Sequence, residues 1–367
     1  MNSMLGQRRR RKPQKGGIED AVASKPNGVP ALRMEDVARL AGVSVMTVSR
    51  ALRTPPAVAA STLAKVRAAL EETGYLPNLV ASGLASSRTQ VVAAVIPLIS
   101  QPFAPTLQSM SDVLRRASYQ LVLGVSHYDP LQEEALVRAF LSRRVDGIAL
   151  FAGGHTPQTI AMLEQAGVPL VEMWADSATE FIVDAVSVPQ RQGAQDVVRH
   201  LLARGRRRIG FIGGSTRHNI RAQARLGGYL DGLAEAGLPH DPAACEEATH
   251  FLMEGGAAAL ARLLERRPQL DAICVASDIL AAGVVFEAHR RGLSVPRDLA
   301  VAGFDDAEIA RSMYPALTTI DMRAEDMGRR AAEMLLERTG QSSRVDLVAM
   351  PSRMHDLGYT LIVREST

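Results

Sequence analysis

The chain has only two cysteines in 367 residues, Cys245 and Cys274. They are too few and too far apart for a disulfide framework or a cysteine metal site, so a reducing compartment, the cytoplasm, is expected. No apolar run approaches the roughly 18 residues of a membrane-spanning helix, and the beginning of the chain lacks the apolar core of a secretory signal. Neither G-x-S-x-G nor G-x-x-x-x-G-K-[ST] occurs, and the eight histidines are scattered singly. With no nucleophile elbow, phosphate loop or clustered acid, base and metal set, an enzyme is not expected, nor a metal or cofactor.

What is present is a long soluble composition, 47% hydrophobic and 22% charged, enough for a small domain and one or two sizeable α/β units. The net charge of +3 is unevenly distributed: residues 1–90 hold 14 of the 42 Lys+Arg but only 6 of the 39 Asp+Glu. A basic head on an acidic body suits a nucleic-acid-binding module carried by a sensor or enzyme domain. Residues 1–31 include RRRRK at 8–12 and lack periodic apolar residues, so a disordered basic arm is expected, either adding phosphate contacts or simply solvated.

Residues 34–52, MEDVARLAGVSVMTVSRAL, read as two short helices meeting at a sharp bend. Val37, Ala38 and Ala41 form one apolar stripe, Gly42 can end that helix, Ser44 can cap the next, and Val48 and Leu52 turn a second stripe back onto the first. Val45, Met46, Thr47, Ser49 and Arg50 are left pointing outward. This is the pattern of a helix-turn-helix, whose second helix enters a DNA major groove, although any two amphipathic helices joined by a tight turn share much of it. A third helix, with Leu63, Val66 and Leu70 on its stripe and Gly74 at its end, supplies a minimal core. Arg33 stands where a capping Ser, Thr, Asp or Asn is usual, and Glu35 and Asp36 offset this through the helix dipole.

The succession DVARLAGVSVMTVSRAL, KVRAALEETGYLPN and LVASGLA resembles the DNA-binding head and hinge of the lactose-repressor (LacI/GalR) family. The resemblance implies a head over residues 32–77 and a hinge helix or linker over 78–89, beginning near Asn78. Ser44 to Arg50 would then face double-stranded operator DNA. Val45 and Met46 can touch thymine methyl groups but cannot make bidentate hydrogen bonds; Arg50 can, to guanine or to a phosphate; Thr47 and Ser49 suit phosphates. Leu84 would be an apolar wedge in the minor groove, or would pack against its dimer mate. Gly83 beside it weakens a helix by about 1 kcal/mol relative to alanine, so the hinge would form only on DNA.

From Val91 the pattern changes to short apolar runs, VVAAVIPLI, YQLVLGVS, DGIALF and VPLVEMW, separated by helical stretches such as LQSMSDVLRRA and TIAMLEQAG. A second series follows, AVSVP, RRIGFIGG, AICVASD and LAVAGFDD, then TTIDM and a helix from about Arg323. These are parallel sheets covered by helices on both faces. Together they resemble the two-lobed, periplasmic-binding-protein-like sensor of the same repressors. The expected fold is therefore a small all-α helix-turn-helix head on a two-lobed α/β effector-binding and dimerisation domain over 90–367. Its first lobe would span about 90–188 and 318–345, and its second about 189–317 and 346–367.

Open parallel sheets bind ligands beyond the carboxyl ends of their strands. Those ends offer Ser100, Gln101 and Phe103, then His127, Ser277 and Asp278, then Phe304, Asp305 and Asp306. Asp305 and Asp306 can accept sugar hydroxyls or cap the next helix, and Asp306 suits the cap better. RLGGY at 225–229 matches the family's arginine-x-x-glycine-aromatic motif, which implies that Arg225 reaches the effector; Phe251 falls where the family often stacks an aromatic on a sugar. The stretches HTPQTIAMLEQAGVPLVE, FEAHRRGLSVPRDLAVAGF and RMHDLGYTL look like the gluconate-utilisation repressors of that family, implying a sugar-acid effector that releases a homodimer from a pseudo-palindromic operator. Arg217 and Arg221 can join Arg225 in meeting a carboxylate, or be solvated at the surface. Control by a neutral sugar or a protein partner, and a freestanding sugar-binding protein, are the alternatives.

Overall fold

The computed structural model describes residues 32–53, 55–75, 88–176, 181–341 and 352–367. Its contacts divide the chain into two units, Met1–Ser82 and Gly83–Thr367. The basic arm, Asn78 and Leu84 lie outside the described residues.

In the first unit, α1 (Met34–Ala41), α2 (Val45–Arg53) and α3 (Ala60–Thr73) enclose one small core. Val37, Ala38, Ala41, Val48, Ala51, Val66 and Ala69 are all buried in it. Gly42 ends α1 at φ 66°, where a side chain is strained. The Ser44 hydroxyl accepts the Thr47 amide at 3.1 Å, capping α2. Arg33 heads α1 without a side-chain cap, and Asp36 accepts the Arg33 amide at 2.9 Å, which satisfies one of the donors a helix start leaves over.

The second unit contains two parallel sheets. The first has the order β11-β5-β4-β3-β1-β2, built from β1 (Val91–Ile96), β2 (Gln120–Val125), β3 (Gly147–Phe151), β4 (Leu170–Ala175), β5 (Asp184–Ser187) and β11 (Arg353–Asp356). Side chains alternate across the sheet. Val92, Ala94 and Ile96 therefore meet Met110 and Leu114 of α4 (Ala104–Arg116) and Met327 and Leu335 of α12 (Ala324–Gln341). Ala93 and Val95 face the other way, toward Val137 of α5 (Pro130–Ser142) and Leu163 of α6 (Pro157–Ala166). Burial on both faces explains why β1 is a continuous apolar run.

The second sheet has the order β7-β6-β8-β9, from β6 (Ile209–Gly213), β7 (Cys245–Glu247), β8 (Ala272–Val275) and β9 (Ala300–Ala302). Helices α7 (Gln190–Ala203) and α8 (Ile220–Glu235) cover one face, and α9 (Met253–Arg266) and α10 (Asp278–Arg290) the other. The RLGGY stretch shows how the cover is fixed. A Cβ at Gly228 would lie 1.9 Å from the Arg191 carbonyl, so only glycine lets α8 pack this closely on α7. Tyr229 is fully buried, its hydroxyl donating to the Ile209 carbonyl of β6 at 2.9 Å.

Two readings of the chain are corrected. AVSVP, grouped with the second series of runs, gives β5 of the first sheet, inside the span expected for the first lobe. Residues 353–356, expected in the second lobe, form β11 and pair in parallel with β5. The cause is electrostatic as well as steric: the buried Asp184 carboxylate of β5 pairs with Arg338 of α12 at 2.8 Å and with Arg353 of β11 at 2.9 Å. Burial alone would push Asp184 up, but the two guanidinium groups hold it below the usual carboxylate range. In addition, β10 (Thr319–Asp321) pairs antiparallel with β12 (Thr360–Ile362). Thr318 and Ile320 accept backbone bonds from Gly303 and Asp305 of the second lobe, so the chain returns to the first lobe only after Asp321.

Candidate functional site

The head presents a coherent outer face. Around the buried Val48, the turn and first part of α2 leave Ser44, Val45, Met46 and Arg50 exposed and Thr47 and Ser49 half-buried. Met46 is 75% exposed. The Ser44 hydroxyl is committed to the helix cap and to the Thr47 hydroxyl at 2.9 Å. Its contribution is thus to set the start of α2, while Val45, Met46 and Arg50 offer the free surface.

The body contains a cavity of about 410 Å³ at the carboxyl ends of strands from both sheets. Ser100, Phe103 and Tyr128 line it from the first lobe, and Asn219, Arg221, Arg225, Phe251, Ser277 and Asp305 from the second. Six of the eight sequence-derived effector residues thus come together: Ser100, Phe103, Arg225, Phe251, Ser277 and Asp305. His127 and Asp278 do not line it. His127 and Tyr128 both adopt left-handed backbone, φ 53° and 60°, and this reversal exposes His127 and carries Tyr128 inward. Asp278 lies fully buried beneath the cavity wall, accepting the Thr319 hydroxyl at 2.6 Å and the Ala307 amide at 2.8 Å. Burial and the neighbouring Asp305 push its carboxyl well up from the ordinary value.

Asp306 is also corrected. It pairs with Arg364 at 2.6 Å instead of capping α11 (Glu308–Ser312), whose start is served by the Asp278 carboxylate through the Ala307 amide. Asp305 occupies a strained conformation for a residue with a side chain, φ 115°. It is held there by its amide bond to the Ile320 carbonyl at 2.9 Å and by Arg225.

Arg225 is 8% exposed, and each of its three guanidinium nitrogens donates one hydrogen bond. Nε donates to Gln190 Oε1 at 2.9 Å, Nη1 to the Ala276 carbonyl at 2.6 Å, and Nη2 to Asp305 Oδ1 at 3.0 Å. Its flat face lies 4.0 Å from the Phe304 ring centre. Burial pushes the Asp305 carboxyl up, against the downward pull of Arg225. Phe304 itself is buried below the cavity wall and serves as the platform for Arg225.

Arg221, one helical turn earlier, is 5% exposed, whereas Arg217 is exposed. Arg221 makes no hydrogen bond or ion pair among the described residues. Its guanidinium instead lies among three rings of the first lobe, 5.2 Å from Phe151 and 5.7 Å from Phe103 and Tyr128. The signal was in the sequence: residues four apart share a helix face, so an inward Arg225 implies an inward Arg221. Tyr128 and Asn219 are lining residues that sequence reasoning missed. The side chain of Asn219 also caps α8, accepting the Ala222 amide at 3.1 Å.

Among the described residues no group of three or more His, Cys, Asp or Glu could hold a metal, and no helix is long and apolar enough to cross a membrane. A three-helix head of helix-turn-helix form joined to a two-lobed α/β body with an interlobe cavity defines a DNA-binding regulator built on a periplasmic-binding-protein fold. Comparison with known proteins agrees at both ends. Residues 33–78 match the model for bacterial regulatory proteins of the lacI family, and residues 198–367 match the periplasmic binding protein-like domain. The HTH-type transcriptional regulator GntR of Escherichia coli is 34% identical over 89% of this chain and 96% of its own length. GntR of Pseudomonas aeruginosa is 36% identical over 94% and 97%. The crystal structure of a LacI-family transcriptional regulator from Silicibacter pomeroyi superposes with a TM-score of 0.81 at 31% identity, covering 91% of this chain and 99% of that one. The chain belongs to the LacI family of bacterial transcriptional regulators, and it is a regulator and not an enzyme.

Proposed function

We propose that this repressor binds a pseudo-palindromic operator as a homodimer in the cytoplasm and is released from it by a small sugar acid of the gluconate type. The observation that carries the acid is the charge balance of the cavity. Arg225 and Asp305 pair at 3.0 Å, leaving the charged lining with one positive charge in excess and the Arg221 guanidinium in no ion pair among the described residues. A charged group that is always protonated and removed from water favours an anionic ligand. Asp305, Asn219, Ser100 and Ser277 provide donors and acceptors for hydroxyls, and Phe103, Tyr128 and Phe251 provide ring faces. The resemblance to gluconate-utilisation repressors, and relatives named GntR, support the same choice.

On DNA, Val45 and Met46 would contact thymine methyl groups and Arg50 a guanine edge, with Thr47 and Ser49 setting the register on phosphates and Ser44 fixing the start of the helix. Asn78 and Leu84 would belong to a hinge that forms on the operator, Leu84 wedging the minor groove. Effector binding would reorient the lobes and the two hinges of the dimer, and a coupling of about 1–3 kcal/mol would lower operator affinity by roughly 5- to 150-fold. The test is operator binding by the purified full chain at fixed salt, with DNA from its own upstream region. A fall in affinity with gluconate but not with neutral sugars is expected. Operator binding that responds only to a neutral sugar, or only to a protein partner, refutes the sugar-acid effector and leaves the DNA-binding assignment standing.

A further inference from the structure

We propose that Arg221, and not Arg225, takes the effector's carboxylate, that the site is built for one negative charge, and that the same guanidinium ties the two lobes together when the charge arrives. The proposal rests on the sugar-acid reading above and sharpens it.

Arg225 is already held at every nitrogen, with two of its five N–H groups uncommitted. Each of its three nitrogens already donates to an acceptor, one of them the Asp305 carboxylate, and its face is covered by Phe304. Its role is to hold Asp305 in place for a hydroxyl. Arg221 is the converse. Its stem rises from α8 in the second lobe, but its guanidinium lies among Phe103, Tyr128 and Phe151 of the first, 5.2–5.7 Å from the ring centres. Rings take up the faces of a guanidinium and leave its N–H edge, which is the part that meets a carboxylate with two parallel bonds. The start of α8, with Asn219 as its cap, lies at the same wall and adds the positive end of a helix dipole.

The charge capacity follows from the lining. Arg221, Arg225 and Asp305 are the only charged lining residues among those described, and two of them cancel. A monocarboxylate balances the remainder. A phosphorylated acid brings further negative charge with no cation of the lining to receive it, so it should bind more weakly. The geometry also makes charge sensing a matter of lobe position. An anion on the Arg221 edge fixes a side chain of the second lobe whose faces rest on rings of the first, so binding holds the lobes in one relation. A neutral polyol can occupy the hydroxyl sites but leaves this link unbraced.

The chain's single tryptophan, Trp174, provides the readout: its ring centre is 5.6 Å from Phe103 and 6.4 Å from Phe151. Fluorescence titration of the full-length protein with D-gluconate, D-glucitol and 6-phospho-D-gluconate tests each part. Wild type should prefer gluconate to glucitol by at least about 10-fold, the low end for one charge-assisted contact, and should bind 6-phosphogluconate less tightly than gluconate. Arg221→Met should lower gluconate affinity by about 10- to 150-fold and leave glucitol unchanged, and Arg221→Lys should fall between. Arg217→Ala, at an exposed arginine, should change nothing. If Arg221→Met does not fold, as judged by circular dichroism, the gluconate-to-glucitol ratio of Arg221→Lys decides. An unchanged ratio in the folded variant overturns the Arg221 assignment while the sugar-acid reading stands. Tighter binding of 6-phosphogluconate overturns the single-charge site. A wild type that binds no acid better than glucitol overturns both the proposal and the reading beneath it.

Discussion

Replacing Arg225 with methionine keeps the bulk and the contact with Phe304 but removes every donor from a buried site. Three acceptors lose their partner: Gln190 Oε1, the Ala276 carbonyl and Asp305 Oδ1. Breaking a buried ion pair from one side costs about 3–5 kcal/mol, most of it from the charge left behind. With Arg225 gone, that charge is offset only by the weaker pull of Arg221 or by a proton. Burial already pushes the Asp305 carboxyl up while Arg225 pulls it down, so in Arg225→Met it should rise further. A raised folded-state value means that the folded protein holds a proton the unfolded chain has released. The variant's stability is therefore closest to wild type below the ordinary carboxylate range and falls behind as pH rises through the folded Asp305 value. Denaturant unfolding of both proteins between pH 4 and 8 should show a deficit that widens with pH, reaching about 3–5 kcal/mol. Asp305→Asn in the Arg225→Met background should remove the pH dependence and recover part of the loss. A deficit that is constant with pH, or one that Asp305→Asn deepens, would refute the account of Arg225 as the counterion that keeps Asp305 ionised.

Gly228→Ala sets a Cβ against the Arg191 carbonyl; the helices must part, at a cost of about 1–3 kcal/mol or more, and calorimetry should show a lower Tm together with weaker effector binding through the displaced Arg225. Asp184→Asn should destabilise the body by about 3–5 kcal/mol at neutral pH. Because Arg338 and Arg353 hold the folded Asp184 value down, that difference should shrink as pH falls through it. His155 lies between Glu133 at 2.5 Å and Glu172 at 3.0 Å; burial opposes its charge, yet the two carboxylates raise it to about 10. The stability lost in His155→Gln should be greatest below the ordinary histidine value and vanish as pH rises through about 10. Arg50→Ala should cost about 1–3 kcal/mol of discrimination at one base pair in a panel of operator variants, whereas a uniform loss across all sequences marks a phosphate contact.

Legibility followed locality. Gly42, Ser44 and the stripe around Val48 specify the head within 20 residues or so, and the three-helix core corresponds closely to that pattern. Buried parallel strands were readable because both faces are apolar, as in β1 and β3. The strand β11 was not readable: RMHD carries no apolar run, and it becomes a strand because Arg353 reaches the Asp184 carboxylate from the sheet edge. The three-residue β7, half-exposed, was missed for a similar reason. In the cavity, Arg225, read from a motif, and Ser277, read from a strand end, both line the wall. Positions decided by a backbone reversal were not legible: Tyr128 lines the cavity and its neighbour His127 does not. Asp278 lies beneath the wall because strand-end position says which residues are near a cleft and not which way a carboxylate turns, and Asp306 does not cap α11 because Arg364, far along the chain, takes its carboxylate.

The weave of the body has a consequence for synthesis. The edge strand β11 joins β5 only after 165 or so further residues have been made, and α12, which covers the same sheet, comes shortly before it in the chain. The first lobe therefore cannot close its core while the ribosome is still translating the second, and Ser366, whose hydroxyl donates to the Val301 carbonyl of β9, shows that the second lobe waits nearly as long. The head, complete within residues 32–75, is free of this delay. A truncated or stalled chain would thus carry a folded three-helix head without the lobes that enclose the cavity.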